Sequence, residues 1–470
     1  MKSILFNTFS LLCLLFGVGN ALAQTTDFSS GVYILNEDWF GHRNSTMMHL
    51  SEAGQFSYDL IGNNPDNAGK SLGCTSQYAT FYNGRLYVIS KQDQDSGESS
   101  AVRGGRIVVV DPTTHEILFS QDTIFTLNGF SAADGRAFVG VNPHKGYIST
   151  SNGIFIFDLD HYTIKGRITG TENPLITGGE VSNTDGVGPL YYNQCGAMIA
   201  AGNYVFAVYQ DHGILVIDPT TDAIIHTFPG CFSTITQSKD QRIWAARNTE
   251  AAYQEYPYGM AGEWWMGNEL IAIHPITLAT DTVNFLKEFG VEDVMVEQTW
   301  YTWNAGSLCA STKDNSLFFA YNDNVWSWFT RSHIYRYDID SNELYEIYDT
   351  AQDNNYIYGA GIRIEPNSDR LWVSCYVGSN ISTNNFVFYA IDVNLDSNTF
   401  GTRIGTYIPI KNYWYPAMFL FPEDNQASAL YHSPSALHAT PYTKLLHDGQ
   451  LLILRDGRYY TLTGQMVHGH

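Results

Sequence analysis

Two kinds of side chain in this sequence could do chemistry: aromatic rings with amides beside them, and scattered carboxylates. Rings and amides occur together around Trp39 and Phe40, in Tyr191-Tyr192-Asn193-Gln194, in Trp300-Tyr301-Thr302-Trp303-Asn304, around Tyr356 and Tyr358, and in Tyr413-Trp414-Tyr415. A ring face takes the apolar flank of a ligand while an amide fixes its hydroxyls or carbonyls. The pairing therefore suits a bulky, largely neutral polar ligand. The candidate binding residues are Trp39, Tyr191, Tyr192, Asn193, Gln194, Trp300, Trp303, Asn304, Tyr356 and Trp414. Any single ring among them could instead pack a long loop onto the body of the protein. It is their convergence on one face, argued below, that favours a ligand.

The carboxylates Glu37, Asp185 and Glu263 fall in the same insertions and would serve a propeller hydrolase or lyase acting on glycans or lactones. No H-E-x-x-H, G-x-S-x-G or P-loop pattern accompanies them, so no catalytic residue is assigned. Ser182-Asn183-Thr184-Asp185-Gly186 is a poor single match to the Ser-x-Asp-x-Gly box of sialidase propellers. Asp93 and Asp95 carry the D-x-D-x-G opening of a calcium loop, with closely spaced oxygens of the kind a hard cation takes. The later bidentate glutamate of such a loop is missing. No other metal or cofactor is expected.

The elements that must position these residues are short strands in a repeat. Asn203–Gly230 holds three apolar runs separated by Gln210-Asp211-His212-Gly213 and Asp218-Pro219-Thr220-Thr221. Runs rich in Val, Ile, Tyr and Phe, bounded by Gly or Asp-Pro, read as antiparallel strands. Pro presets φ in the corner, and the Asp side chain can bond the backbone ahead. Related corners recur at Ser51, Asp111, Asp158, Asp218, His274, Asp338 and Asp392, about 57 residues apart. Each has an upstream strand opened by a tight polar turn. Four strands per repeat at this period predict an all-β fold, a seven-bladed β-propeller. Its first blade takes three strands from Gly31–Gly62 and its innermost strand from Ala417–Asp424, so that N- and C-terminal strands close the ring. Closure removes the open edges that invite aggregation.

Loop lengths then divide the disc. First-to-second and third-to-fourth strand turns are uniformly tight, whereas the opposite face carries the long insertions 36–45, 91–105, 170–194, 247–268, 285–304 and 321–332. The aromatic and amide candidates sit in those insertions or in the segments leading into innermost strands.

Residues 1–23 read as a secretory signal peptide: Lys2, an apolar run from Ile4 to Val18 and Ala21-Leu22-Ala23 before Gln24. Residues 24–426 form the propeller. Residues 427–443, rich in Ser, Ala, Pro and His, read as a linker. Residues 444–470 give two or three strands joined at Asp448-Gly449 and Asp456-Gly457, a β tail for sorting or docking. No apolar stretch of the mature chain is long enough for a transmembrane helix. The net charge of −22, from 47 acidic against 25 basic residues, excludes the basic face that nucleic acid requires. Cys74, Cys195, Cys231, Cys309 and Cys375 are odd in number and follow the repeat, which makes them small core residues rather than a disulfide framework. A monomer is expected.

Gly-Gly-Arg-Ile-Val-Val-Val-Asp-Pro-Thr-Thr at 104–114 and Gly-Ile-Leu-Val-Ile-Asp-Pro-Thr-Thr at 213–221 resemble the repeat of surface-layer, YVTN-type propellers. The opening Gly31–Met47 is similar to the start of a family of exported propellers from gut Gram-negative bacteria. Asn36 and Glu37 match that family's Asn-Glu-Gly-like segment and Asp38 replaces its glycine. The family includes an outer-surface vitamin B12-binding propeller. The resemblance implies a cell-surface or periplasmic protein that captures a ligand such as cobalamin, with a TonB-dependent outer-membrane transporter as partner. This chain lacks a lipoprotein cysteine and adds the tail. A protein-interaction scaffold at the cell surface is the remaining alternative.

Overall fold

The computed structural model describes residues 27–38, 43–94, 102–176, 193–210, 212–249, 266–290, 306–321, 332–378 and 384–422, with backbone strands in 443–467. Among these residues, antiparallel four-stranded sheets follow one another in plain sequence order. They run from Cys74–Tyr82 to Ile117–Gln121, Gly135–Asn142 to Thr163–Arg167, Cys195–Ala201 to Ala223–Phe228, Phe232–Gln237 to Thr280–Asn284, Cys309–Ala310 to Glu343–Asp349, and Asn355–Ile364 to Arg403–Tyr407, the last joined to the closing blade by one parallel bridge, Ala360↔Met418. The protein is a β-propeller. Its ends are joined as the sequence implies, because Pro416–Leu420 pairs antiparallel with Val32–Asn36 through Tyr33↔Leu420, Ile34↔Phe419 and Leu35↔Met418. Thr46–Leu50 and Phe56–Ser57 complete that blade from the N-terminal side.

Burial follows radius. Inner and middle strands are sandwiched between neighbouring blades, so Leu86–Ser90, Ile107–Val110 and Ile214–Ile217 are buried on both faces. One inter-blade core holds Tyr147 and Ile154 against Val205, Leu215 and Ile217. Each such side chain contributes about 1.5–3 kcal/mol of apolar burial. The outermost strands splay apart and alternate, as in Ala223–Phe228, where Ile225 is exposed.

The corners explain why this repeat tolerates so varied a sequence. Asp111 Oδ1 accepts from the N–H groups of Thr113 and Thr114, Asp158 Oδ1 from Asp160 and His161, and Asp218 Oδ1 from Thr220. At His274 the ring Nδ1 takes over, accepting from Ile276 and Thr277. The residue closing the turn is left-handed each time: His115, Tyr162, Asp222, Leu278 and Asn342 have φ between 49° and 59°. One extra residue on the outer strand follows, as where Val109↔Phe119 gives way to Val110↔Ile117. Asp218→Ala is expected to cost about 1 kcal/mol, the value of a local side-chain cap, read as a lowered denaturant midpoint at unchanged slope.

One strand departs from expectation. The segment after Phe56–Ser57 leaves the sheet, because Asp59 turns left-handed at φ 45° and its Oδ1 accepts from Gly62 N. The chain from Tyr58 to Lys70 then lies over the gap to the next blade. Asn67 fastens it, donating to the carbonyls of Ile61 and His115 and accepting from Ile117 N at 2.7 Å. At the far end, Thr443–His447, Gln450–Arg455, Arg458–Tyr460 and Met466–Val467 make an antiparallel sheet of their own. The signal-peptide and linker assignments lie outside the described residues, apart from Thr443. Among the described residues no helix is long and apolar enough to cross a membrane. Cys74, Cys195, Cys309 and Cys375 are buried thiols, outside any disulfide, in inner and middle strands.

Candidate functional site

Inner strands start at the loop-rich face, and there their pairing slips. Ser76 and Tyr78 stand opposite Ser90 and Ile89, which makes Gln77 an extra residue. Arg136 is the extra residue between Gly135 and Ala137. Similar slips lie between Cys195 and Met198, between Phe232 and Ile235, and most widely between Ile357 and Ile362. A bulge breaks the alternation of the strand and re-aims a side chain. Here the bulges bring polar groups such as Gln77 and Arg136 to buried positions near the loop-rich ends of the inner strands.

Glu37 receives two of them. It lies just past Val32–Asn36, with its own N–H bonded to Tyr415 O at 3.0 Å and the N–H of Asp38 bonded to Trp414 O at 3.0 Å. Its Oε1 accepts from the Tyr358 hydroxyl at 2.7 Å and from Gln77 Nε2. The residue is 3% exposed. Burial pushes its pKa up to about 7, against the opposing pull of the Tyr358 and Gln77 bonds and the Lys91 charge. Burial also drives the Tyr358 phenol well above its ordinary value, reinforced by the Glu37 charge and hydrogen bond. Two buried oxygens nearby in sequence to these contacts, Thr75 Oγ1 and Gln77 Oε1, have no hydrogen-bond partner among the described residues. As placed, the Glu37 carboxyl faces protein. It pins a phenol and an amide rather than meeting solvent.

An aromatic wall rises from this pin. Tyr415 packs 5.4 Å from Tyr358, 6.0 Å from Phe386 and 5.9 Å from Trp414, measured between ring centroids. Tyr356 lies 5.7 Å from Tyr376 in the same cluster. Trp414 is held further by Asn384, whose amide, turned so that its oxygen accepts, takes bonds from Trp414 Nε1 at 3.1 Å and Asn412 N at 2.9 Å. Tyr356 and Trp414 are half-buried, so each keeps part of its ring toward solvent over a fixed base.

The expected residues fare differently. Tyr356 and Trp414 are brought together by this cluster. Asn193 and Gln194 each bond the framework. Asn193 Oδ1 accepts from His212 Nε2 at 2.6 Å. Gln194 is fully buried, its Oε1 accepting from Arg136 Nε at 2.6 Å. Trp39, Tyr191, Tyr192, Trp300, Trp303 and Asn304 lie outside the described residues, as do Asp185, Glu263 and Asp95. Asp93 gives its two oxygens to arginines, Oδ1 to Arg106 at 2.7 Å and Oδ2 to Arg103 at 3.0 Å. Gln77 and Arg136 leave no signal in the sequence because a bulge exists only relative to a partner strand. Tyr358 was visible as one ring of a Tyr-rich segment, without its link to Glu37.

Residues 30–422 match the model of a family described as a domain of unknown function, DUF5074. No curated protein matches the sequence. Among solved structures the chain is similar to the β-propeller domain of Myceliophteria thermophila Cps50 (Swd1), at 9% identity and a TM-score of 0.43, covering 71% of this chain and 86% of that one. It is similar to the computationally designed Ika8 protein at 10% identity and TM-score 0.41, covering 82% and 89%. It is also similar to the extracellular domain of a hybrid two component system from B. thetaiotaomicron, at 10% identity and TM-score 0.39. There it covers 76% of this chain and 42% of that one, so it spans less than half that protein's length.

Proposed function

The chain belongs to the DUF5074 family, and we propose that it is an exported, non-enzymatic binding propeller that takes a ligand at the loop-rich mouth of its channel. The observation that carries this reading is the pinned aromatic wall: Trp414 and Tyr356 offer ring surface whose position is fixed from below by Tyr415, Tyr358 and the buried Glu37. Rings held rigid before binding lose little freedom on contact, which is how a few aromatic residues come to dominate an affinity. The burial of Glu37 favours holding over turnover, since a catalytic acid must reach its substrate. We read the sheets as seven blades, residues 1–23 as the export signal and 444–470 as an accessory tail. The resemblance of Gly31–Met47 to exported propellers makes a corrinoid one ligand to try, with delivery to a TonB-dependent transporter as its sequel.

Calorimetry and tryptophan emission with cyanocobalamin and a panel of neutral oligosaccharides test the proposal. Heat and an emission change are expected with one of them, and silence with all would overturn it. Trp414→Ala is expected to weaken the ligand found by ten- to a hundredfold, the usual loss for a truncated aromatic anchor.

A further inference from the structure

The strongest unassigned feature is a pocket of about 540 Å³ on the flank between the blade that closes the ring and the next. It is floored by the segment that leaves the sheet after Ser57 and flanked above by Arg43 and Val102 from two insertions of the loop-rich face. Its charge is anomalous. In a chain with nearly two acids per base, the described residues that line this pocket include Arg43 and Lys70 and no carboxylate. Among the described side chains Arg43 is the arginine that no acid, amide or carbonyl holds, whereas Arg85, Arg106, Arg247, Arg336 and Arg403 each have a carboxylate. Lys70 gives one N–H to Ile117 O at 3.0 Å, leaving two of its three donors.

The rest of the lining is rigid and amphipathic. The amide of Asn63 is tied to Tyr58 O, and that of Asn64 to Thr114 O while its Oδ1 caps Asp66 N. These bonds fix the floor before any ligand arrives. Val102, 44% exposed, and Pro65 add apolar surface beside the two cations. Two cations over a fixed floor, beside apolar surface and side-chain oxygens, match a sugar ring that carries a carboxylate. Arg pairs such a carboxylate with two parallel N–H bonds, and the ring's C–H face lies on Val102.

We propose that this flank pocket binds an acidic saccharide, with Arg43 and Lys70 holding the uronate carboxylate. The site is separate from the aromatic mouth and independent of the reading given for it. Short oligogalacturonates and oligoglucuronates, each with its methyl-esterified counterpart, are the probes, titrated into the full chain at low and physiological salt. The acids are expected to bind, the esters at least tenfold more weakly, and the difference to shrink with salt. Arg43→Gln and Lys70→Gln should each cost tenfold or more, while Trp414→Ala leaves the affinity unchanged. Both positions are exposed, so folding of the variants is not at issue. Equal affinity for acid and ester, undiminished binding by Arg43→Gln, or no binding of either acid would overturn the proposal.

Discussion

Replacing Glu37 by Gln should make the protein more stable above neutral pH by about 3 kcal/mol, and leave it nearly unchanged near pH 4.5. The carboxyl has an ordinary value of 4.5 in the unfolded chain and about 7 in the folded one, because burial disfavours its charge. Between those values the folded state binds more protons than the unfolded state, so stability falls as pH rises. It is complete below 4.5 and the loss is finished above 7. A gap of that size corresponds to about 3 kcal/mol. Gln keeps the oxygen that Tyr358 and Gln77 use and cannot ionise. Urea midpoints at pH 4.5, 6 and 8 should therefore converge for the two proteins at the acid end and separate at the alkaline end. Parallel curves would mean that Glu37 is charged without strain and that the pin is weaker than its geometry implies. The same substitution should leave Trp414 emission unchanged, since the pin stays in place.

How much of this was legible in the sequence depends on how far apart the partners lie. The corners were readable because Asp111 and Asp218 bond N–H groups two or three residues on, and the αL residue follows at once. Closure was readable because Gly31–Gly62 holds only three strands of a four-strand blade, and the apolar run at Ala417–Leu420 was there to supply the fourth against Val32–Asn36. The early end of the strand at Ser57 was not, since the segment that Asp59 turns out of the sheet is held in place by Asn67 reaching Ile117 in the next blade. The site divides in the same way. Tyr356 and Trp414 were visible as rings in segments leading to the channel. The contact of Glu37 with Gln77, 40 positions on, and with Tyr358, 321 positions on, was not. Such pairs are made by the ring itself. The framework bonds of Asn193 and Gln194 were equally hidden, because a polar side chain at a strand start is as useful for strapping adjacent blades as for meeting a ligand.

On the opposite face, His115 should impose the reverse dependence. His115 is 5% exposed, its Nε2 lies 3.1 Å from the Tyr33 hydroxyl, and Phe28 packs edge-on against it at 4.5 Å. Phe28 also meets His49, whose Nε2 reaches Ser30 O at 2.7 Å, so two buried imidazoles hold the segment that leads into the closing blade. Burial lowers the His115 pKa from 6.5 to about 4, with the neighbouring His49 charge adding to the effect and Asp111 opposing it. Burial likewise lowers His49. Between 4 and 6.5 the unfolded chain binds the extra proton, so stability rises with pH and is lost as pH falls, by about 2–3 kcal/mol for His115. The corner aspartates, whose carboxyls are held below the ordinary range, act only at lower pH. From 4.5 to 6.5 the Glu37 and His115 slopes oppose one another, and the native protein should be nearly flat there apart from His49. Glu37→Gln should expose a rise with pH across that window. His115→Asn, which keeps the left-handed turn that Asn tolerates, should expose a fall. The double variant should return to near flatness, because the two groups lie on opposite faces and their effects add. A His115→Asn protein with the slope of the native one would show that the imidazole is solvated, and that Phe28 is held by packing alone.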